Sequence, residues 1–170
     1  MRMRWSVLGM LIFLGIVLLC VGGEAQGINR AGLVVRFGDG TVITRCIEFT
    51  EDAITGEDVL KRSGLRVILD YSSGMGGAVC KIEDEGCDYP QVPCFCQCMG
   101  GGECIYWAYF HLKNGAWEYS GTGCSNYYVH NGDVEGWAWG PGSPTGGTQP
   151  PVIPFEQICP ASASSPTPTA

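Results

Sequence analysis

Positive charge, histidine and helix-forming stretches are all scarce in this chain, and each scarcity removes a class of function. Lys and Arg number 10 against 17 Asp and Glu, a net charge of −7 over 170 residues. Setting aside Arg2, Arg4 and Glu24 at the start, the rest carries 8 basic and 16 acidic residues, a net charge of −8. Nucleic acid and anionic lipid both require concentrated Lys and Arg, so neither is expected as a partner. The two histidines, His111 and His130, join no Ser-His-Asp or metal motif. No catalytic constellation can be built from them, an enzyme is not expected, and both read as hairpin-end side chains in solvent. Ser72–Gly77 is glycine-rich but lacks the Lys-Ser/Thr and the following helix of a phosphate loop, so it is expected to be a flexible loop. Glu83-Asp84-Glu85 reads as a solvated turn rather than as paired carboxylates for acid/base work.

Cysteine, glycine and aromatic residues are what the chain has instead. Their setting is fixed by the first 25 residues. Arg2 and Arg4 precede an apolar run from Trp5 to Val21, and Gly23-Glu24-Ala25 has the small-x-small form of a signal-peptidase site. Residues 1–25 are therefore expected to be a signal peptide. An uncleaved anchor is the alternative, since the run is about the shortest that spans a bilayer, and it is the one membrane attachment expected. Lipidation at Cys20 is disfavoured by the bulk of Leu19. All of these place the remainder outside the cytoplasm, secreted or at the cell surface, where dense cysteines form disulfides. Nine cysteines follow residue 25. Cys46, Cys80, Cys87, Cys94, Cys96, Cys98, Cys104 and Cys124 are the disulfide candidates, with the pairing left open. Cys159 lies beyond the patterned region and is the candidate for the odd one. Cys94, Cys96 and Cys98 alternate with Phe95 and Gln97, which suits bonds to three different partners. Structural zinc favours C-x2-C spacing, so no metal is expected.

The order of elements is legible from pattern. Leu33–Phe37 and Thr41–Phe49 flank Gly38-Asp39-Gly40 as a β-hairpin, with Ile43, Ile47 and Phe49 on the core face. Thr55 and Asp58 form a short-armed capping box. Glu57 and Asp58 then lie at the positive end of the helix dipole and Lys61 and Arg62 at its negative end, and Gly64 closes the helix. Strands are expected at Leu65–Tyr71, Ala78–Ile82 and Ile105–His111. Asn114-Gly115 turns the last of these back into Ala116–Ser120. A short strand at Tyr127–His130, an Asn131-Gly132 turn and a final strand at Val134–Gly140 complete the pattern. Residues 141–170 are rich in Pro, Gly, Ser and Thr and are expected to be a disordered tail. One helix on a mixed sheet is an α+β fold of β-grasp type, disulfide-braced, spanning residues 31–140.

Trp107, Tyr109, Trp117, Tyr119, Trp137 and Trp139 are expected to share an exposed sheet face opposite the helix, suited to stacking on a planar ligand or a sugar. The competing use of such side chains is the core of a small domain. Four features then resemble the transcobalamin-like C-terminal domain, the small β-domain of intrinsic factor and transcobalamin that also occurs in exported bacterial proteins. They are the helix from Thr55-Gly56-Glu57-Asp58-Val59-Leu60 to Ser63-Gly64-Leu65, the pair Tyr106-Trp107, the loop Gly123-x-x-x-Tyr127, and the turn Asn131-Gly132-Asp133-x-Glu135. The resemblance implies a β-grasp domain covering one side of a corrin ring, with Trp107, Gly123 and Tyr127 near the ligand. Cys124 inside the loop and the Cys87–Cys104 stretch depart from the carriers' pattern. The expected function is an exported small-ligand-binding module for a cobalamin-type (corrinoid) ligand, with an envelope transporter or surface protein as partner. The alternative is a structural or adhesive surface module.

Overall fold

The computed structural model describes residues 27–98 and 103–161. The expected signal peptide at 1–25 and the end of the expected tail, 162–170, lie outside them. Eleven strands form in chain order. They are β1 (Asn29–Arg36), β2 (Val42–Phe49), β3 (Ile54–Thr55), β4 (Val67–Asp70), β5 (Ala78–Ile82), β6 (Glu85–Gly86), β7 (Cys104–Lys113), β8 (Ala116–Tyr119), β9 (Tyr128–Val129), β10 (Val134–Ser143) and β11 (Gly146–Gly147). Helix α1 (Gly56–Arg62) follows β3, and a single turn, α2 (Phe155–Ile158), comes last. The main sheet runs β2-β1-β10-β7-β8, with β11 beside β10. It is mixed: β1 and β10 are parallel, with Gly32 opposite Val134, while the other pairs are antiparallel. The described residues are thus mostly β-sheet with one helix of more than a turn, and disulfides brace them.

β1 is central, and its sequence shows it. Leu33 and Val35 face one side, Val34 the other, and all three are fully buried. A strand covered on both faces reads as a continuous apolar run. The first face packs Leu33, Val35, Ile47 and Phe49 against Val59 and Leu60 of α1 and against Val79 and Ile82 of β5. Helix α1 forms as its ends dictate. The Thr55 hydroxyl accepts from the Asp58 N–H, the Asp58 carboxylate accepts from the Thr55 N–H, and Gly64 takes the left-handed φ of 79° after the last turn.

The second face carries Val34, Tyr106, Ala108, Phe110 and Trp117, and the segment after β10 covers it. This corrects the expected tail. Residues 141–161 are ordered, and Ile153, Phe155, Ile158 and Cys159 pack on this face. Composition hid them, because a few apolar residues among prolines are enough to close a small core. Gly32 makes the room: a side-chain carbon there would stand 3.0 Å from Ile158.

The disulfides are Cys46–Cys159, Cys80–Cys94, Cys87–Cys96 and Cys98–Cys104. Cys94, Cys96 and Cys98 do take three different partners. Two assignments are corrected, however. Cys159 is bonded, and among the described residues Cys124 is the free cysteine, buried. The reason is the ordered tail, which brings Cys159 to β2, while Cys124 is enclosed between α1 and the 72–77 loop.

Candidate functional site

Strand β8 ends at Tyr119, opposite Phe110, and leaves residues 104–109 of β7 without a β8 partner. The final rung is the Ser120 N–H donating to the Tyr109 carbonyl at 2.9 Å. Ser120 then turns the chain away, its hydroxyl donating to the Thr122 carbonyl at 2.8 Å. Beside the uncovered part of β7 lies a cleft of ≈ 380 Å³, within the range of small-molecule sites. Its walls are Tyr106, Trp107 and Tyr109 of β7, Trp137 of β10, the loop from Ser73 to Val79 and the loop from Ser120 to Cys124. Met75 and Phe95, both exposed, form an apolar rim.

The two glycine-rich loops are fastened to each other. The Gly123 N–H donates to Met75 O and the Cys124 N–H to Gly77 O, each at 2.9 Å, and the Gly77 N–H donates to the Ser125 hydroxyl at 2.8 Å. Only glycine permits this approach: a Cβ on Gly123 would lie 2.5 Å from the Gly76 carbonyl carbon. Residues 72–77, expected to be a loose loop, are therefore a wall of the cleft.

The aromatic floor is rigid. Tyr109 stacks on Trp137 with centroids 4.2 Å apart and planes 10° from parallel. Trp107 donates its indole N–H to Glu85 O at 3.1 Å and packs edge-on against Phe37. Trp137 is fully buried, and its indole N–H has no partner among the described residues.

Behind the floor lies a buried polar network. The Tyr109 hydroxyl donates to the Glu135 carboxylate, and His111 Nδ1 lies 2.8 Å from the same oxygen. Burial, with the Glu135 charge second, holds the Tyr109 hydroxyl far above its ordinary range, so it stays a donor. His111 stacks on Tyr127 at 3.4 Å. The expectation of a solvent-facing His111 is corrected. Its position two residues past Tyr109 puts it on the buried face, where Glu135 receives it. His130 is exposed as expected. Burial, then the Glu57 charge, pushes the Cys124 thiol up to about 12, so this cysteine is an inert thiol at neutral pH.

Of the aromatic and glycine residues named from the sequence, the fold gathers Trp107, Tyr109, Gly123 and Trp137 at the cleft. It does not bring the other three there. Trp139 is core beside Trp107, Tyr127 covers His111, and Trp117 lies on the second face above Gly136. The expected exposed aromatic face opposite the helix is overturned as well. Trp107, Tyr109, Trp137 and Trp139 pack on the helix side, and the second face is closed by the segment after β10. Tyr119, expected on the aromatic face, also lines the cleft, whereas Met75 and Phe95 carry no mark of a site in the sequence and Tyr106 is marked only as the neighbour of Trp107. The two complementary runs, SSGMGG and GTG, were the available sign that loops would meet there.

Comparison with known families adds one observation. Residues 101–167 match the SCO2322-like domain. The stretch similar to the SCO2322-like domain holds β7, β8 and β10, and with them the aromatic side of the cleft, together with Cys104, Cys124 and Cys159. It omits β1, β2, α1 and the 72–77 wall. Among curated proteins none matches the chain.

Proposed function

We propose that this protein is an exported ligand-binding domain that takes a small-molecule ligand, or an edge of one, into the cleft beside Trp107. The observation that carries the reading is convergence: Trp107, Tyr109, Gly123 and Trp137, far apart in sequence, line one cleft of ≈ 380 Å³. Four disulfides support residence in an oxidising compartment, and among the described residues no helix is long and apolar enough to cross a membrane. A binding rather than a catalytic role is supported by the titratable groups at the cleft. Tyr109 and Cys124 are both held protonated by burial, which removes them as a base or a nucleophile near neutral pH.

The strand order β2-β1-β10-β7-β8, with β1 parallel to β10 and a helix after β2, supports the β-grasp assignment and with it the resemblance to the transcobalamin-like C-terminal domain. On that resemblance the ligand is of corrinoid type, one edge of which enters the cleft, and delivery to an envelope transporter or surface protein follows. Equilibrium dialysis of the chain from Gln26 onward against cyanocobalamin tests this. Binding that is lost in Gly121→Leu, a change at a residue that lines the cleft and has open space around it, supports it. No retention at high micromolar ligand refutes the corrinoid and favours a structural or adhesive surface module.

A further inference from the structure

The cleft is bordered by more than aromatic rings. It also runs along the part of β7 that β8 leaves unpaired. In the hairpin of β7 and β8 a two-residue turn joins Lys113 to Ala116, so Lys113 directs its N–H and carbonyl toward β8. Side-to-side direction alternates along a strand. His111, Tyr109, Trp107 and Ile105 therefore point their backbone groups the same way, and the bond from Ser120 N–H to Tyr109 O confirms the parity. At Ile105 the Cys98–Cys104 disulfide blocks the edge sterically, with the Cys98 sulfur, which has no hydrogen to donate, 3.9 Å from the Ile105 carbonyl. Between these two closures stands Trp107. By that parity its N–H and carbonyl turn to the side that β8 leaves unpaired, Trp107 lines the cleft, and neither group has a hydrogen-bond partner among the described residues.

Resting on the reading of the cleft as a ligand site, we propose that its ligand carries a peptide-type unit with two successive amides, whose N–H and carbonyl flanking one carbon pair with the Trp107 carbonyl and N–H as a short added rung of the main sheet, beside an apolar group seated on Tyr109 and Trp137. Three features favour this class over a plain hydrocarbon. An open edge selects groups that offer an N–H and a carbonyl at β spacing. The rung is short, because the Cys98–Cys104 disulfide closes one end and the Ser120–Tyr109 bond the other. The rim is apolar, with Met75 at 59% and Phe95 at 41% exposure, so the group beside the amide is aliphatic or aromatic. A peptide end and an amide-bearing small molecule share this chemistry.

The test is a titration followed by amide-resolved NMR, with three probes on the intact domain. N-acetyl-phenylalanine N-methylamide offers both amides and the ring, O-acetyl-phenyllactic acid N-methylamide is the ester in which oxygen replaces the paired N–H, and ethylbenzene offers the ring alone. The expected result is a downfield shift of the Trp107 amide signal with the diamide. Affinity should be about five- to tenfold lower for the ester, the worth of one hydrogen bond, and all of it should be lost in Gly121→Leu. A separate arm adds a blocked tripeptide. Tighter binding by the tripeptide assigns the natural ligand to peptide ends, and equal binding assigns it to small amides. Equal affinity for all three probes, or shifts that leave Trp107 unmoved, overturns the amide pairing while leaving an apolar ligand site in place. Failure of every probe to bind overturns the pairing as well. Cobalamin retention alongside any of these outcomes bears only on the corrinoid assignment.

Discussion

Removing the Cys46–Cys159 disulfide should cost this domain more stability than removing any of the other three, although the segment it fastens is only one turn of helix. The bridge closes a loop with a sequence separation of 113, against 14, 9 and 6 for the others. In the chain-entropy account the restriction placed on the unfolded chain is about 5 kcal/mol for the long loop, about 3 for Cys80–Cys94 and about 2 for Cys98–Cys104. The three nested bridges shorten the long loop, but the logarithm reduces its value by only about 0.2 kcal/mol. The native contacts of the segment survive the change, since Phe155 and Ile158 still pack on the second face and Arg30 still donates to Pro160 O. The Cys46→Ala/Cys159→Ala double variant should therefore keep its fold. It should lose about 3–5 kcal/mol in urea denaturation and roughly 10–20 °C in Tm. Its m-value should rise, because the unfolded chain is free to expand. A loss no larger than that of Cys98→Ala/Cys104→Ala would refute the reasoning and place the worth of the long bridge elsewhere than in the unfolded chain.

Three other outcomes are expected. In a chain beginning at Gly27, Cys124 should be the one titratable thiol. It should not react with a thiol reagent at pH 8 in the native state, where burial holds it at about 12, and one equivalent should appear on denaturation. Glu135→Ala should destabilise by about 3–5 kcal/mol in thermal or urea unfolding, because it leaves the Tyr109 hydroxyl and His111 without their buried acceptor. Thr55→Ala should cost about 1 kcal/mol at neutral pH through the lost cap. Burial works against ionisation of Asp58, but the Thr55 bonds and the Arg62 and Lys61 charges outweigh it and hold the carboxyl below its ordinary 3.8. A depressed carboxyl stabilises above the unfolded value and loses that contribution as pH falls through the folded one. The difference between Thr55→Ala and parent should thus shrink below about pH 3.8 in pH-resolved unfolding.

Local signals in the sequence were reliable wherever one segment decided its own conformation. The hairpin of β1 and β2, the capping box at Thr55, the left-handed Gly64 and the Asn114-Gly115 turn all stand where pattern placed them, because each rests on residues a few positions apart. Ile47 and Phe49 are core for the same reason. What failed depended on distant partners. The parallel pairing of β1 with β10 leaves no mark on either strand. Without it the aromatic residues of β7 and β10 could not be assigned to the helix side. Cys159 was set aside because its surroundings are Pro-rich, and its bond to Cys46 depends on Ile153, Phe155 and Ile158 packing beneath the sheet. The candidate site was half visible: its rings and Gly123 were named, whereas the gap itself arises from where β8 stops.

The parallel pair of β1 and β10 also sets a timetable. β1 is apolar on both faces, yet its partner Val134 follows Gly32 by about a hundred positions. A chain emerging from its N-terminus therefore presents one bare edge of a strand that ends up apolar on both faces, with only β2 to shield the other, until most of the domain has followed. Premature pairing between neighbouring copies is the hazard of that interval, and chaperone capture of the β1–β2 hairpin is the natural safeguard.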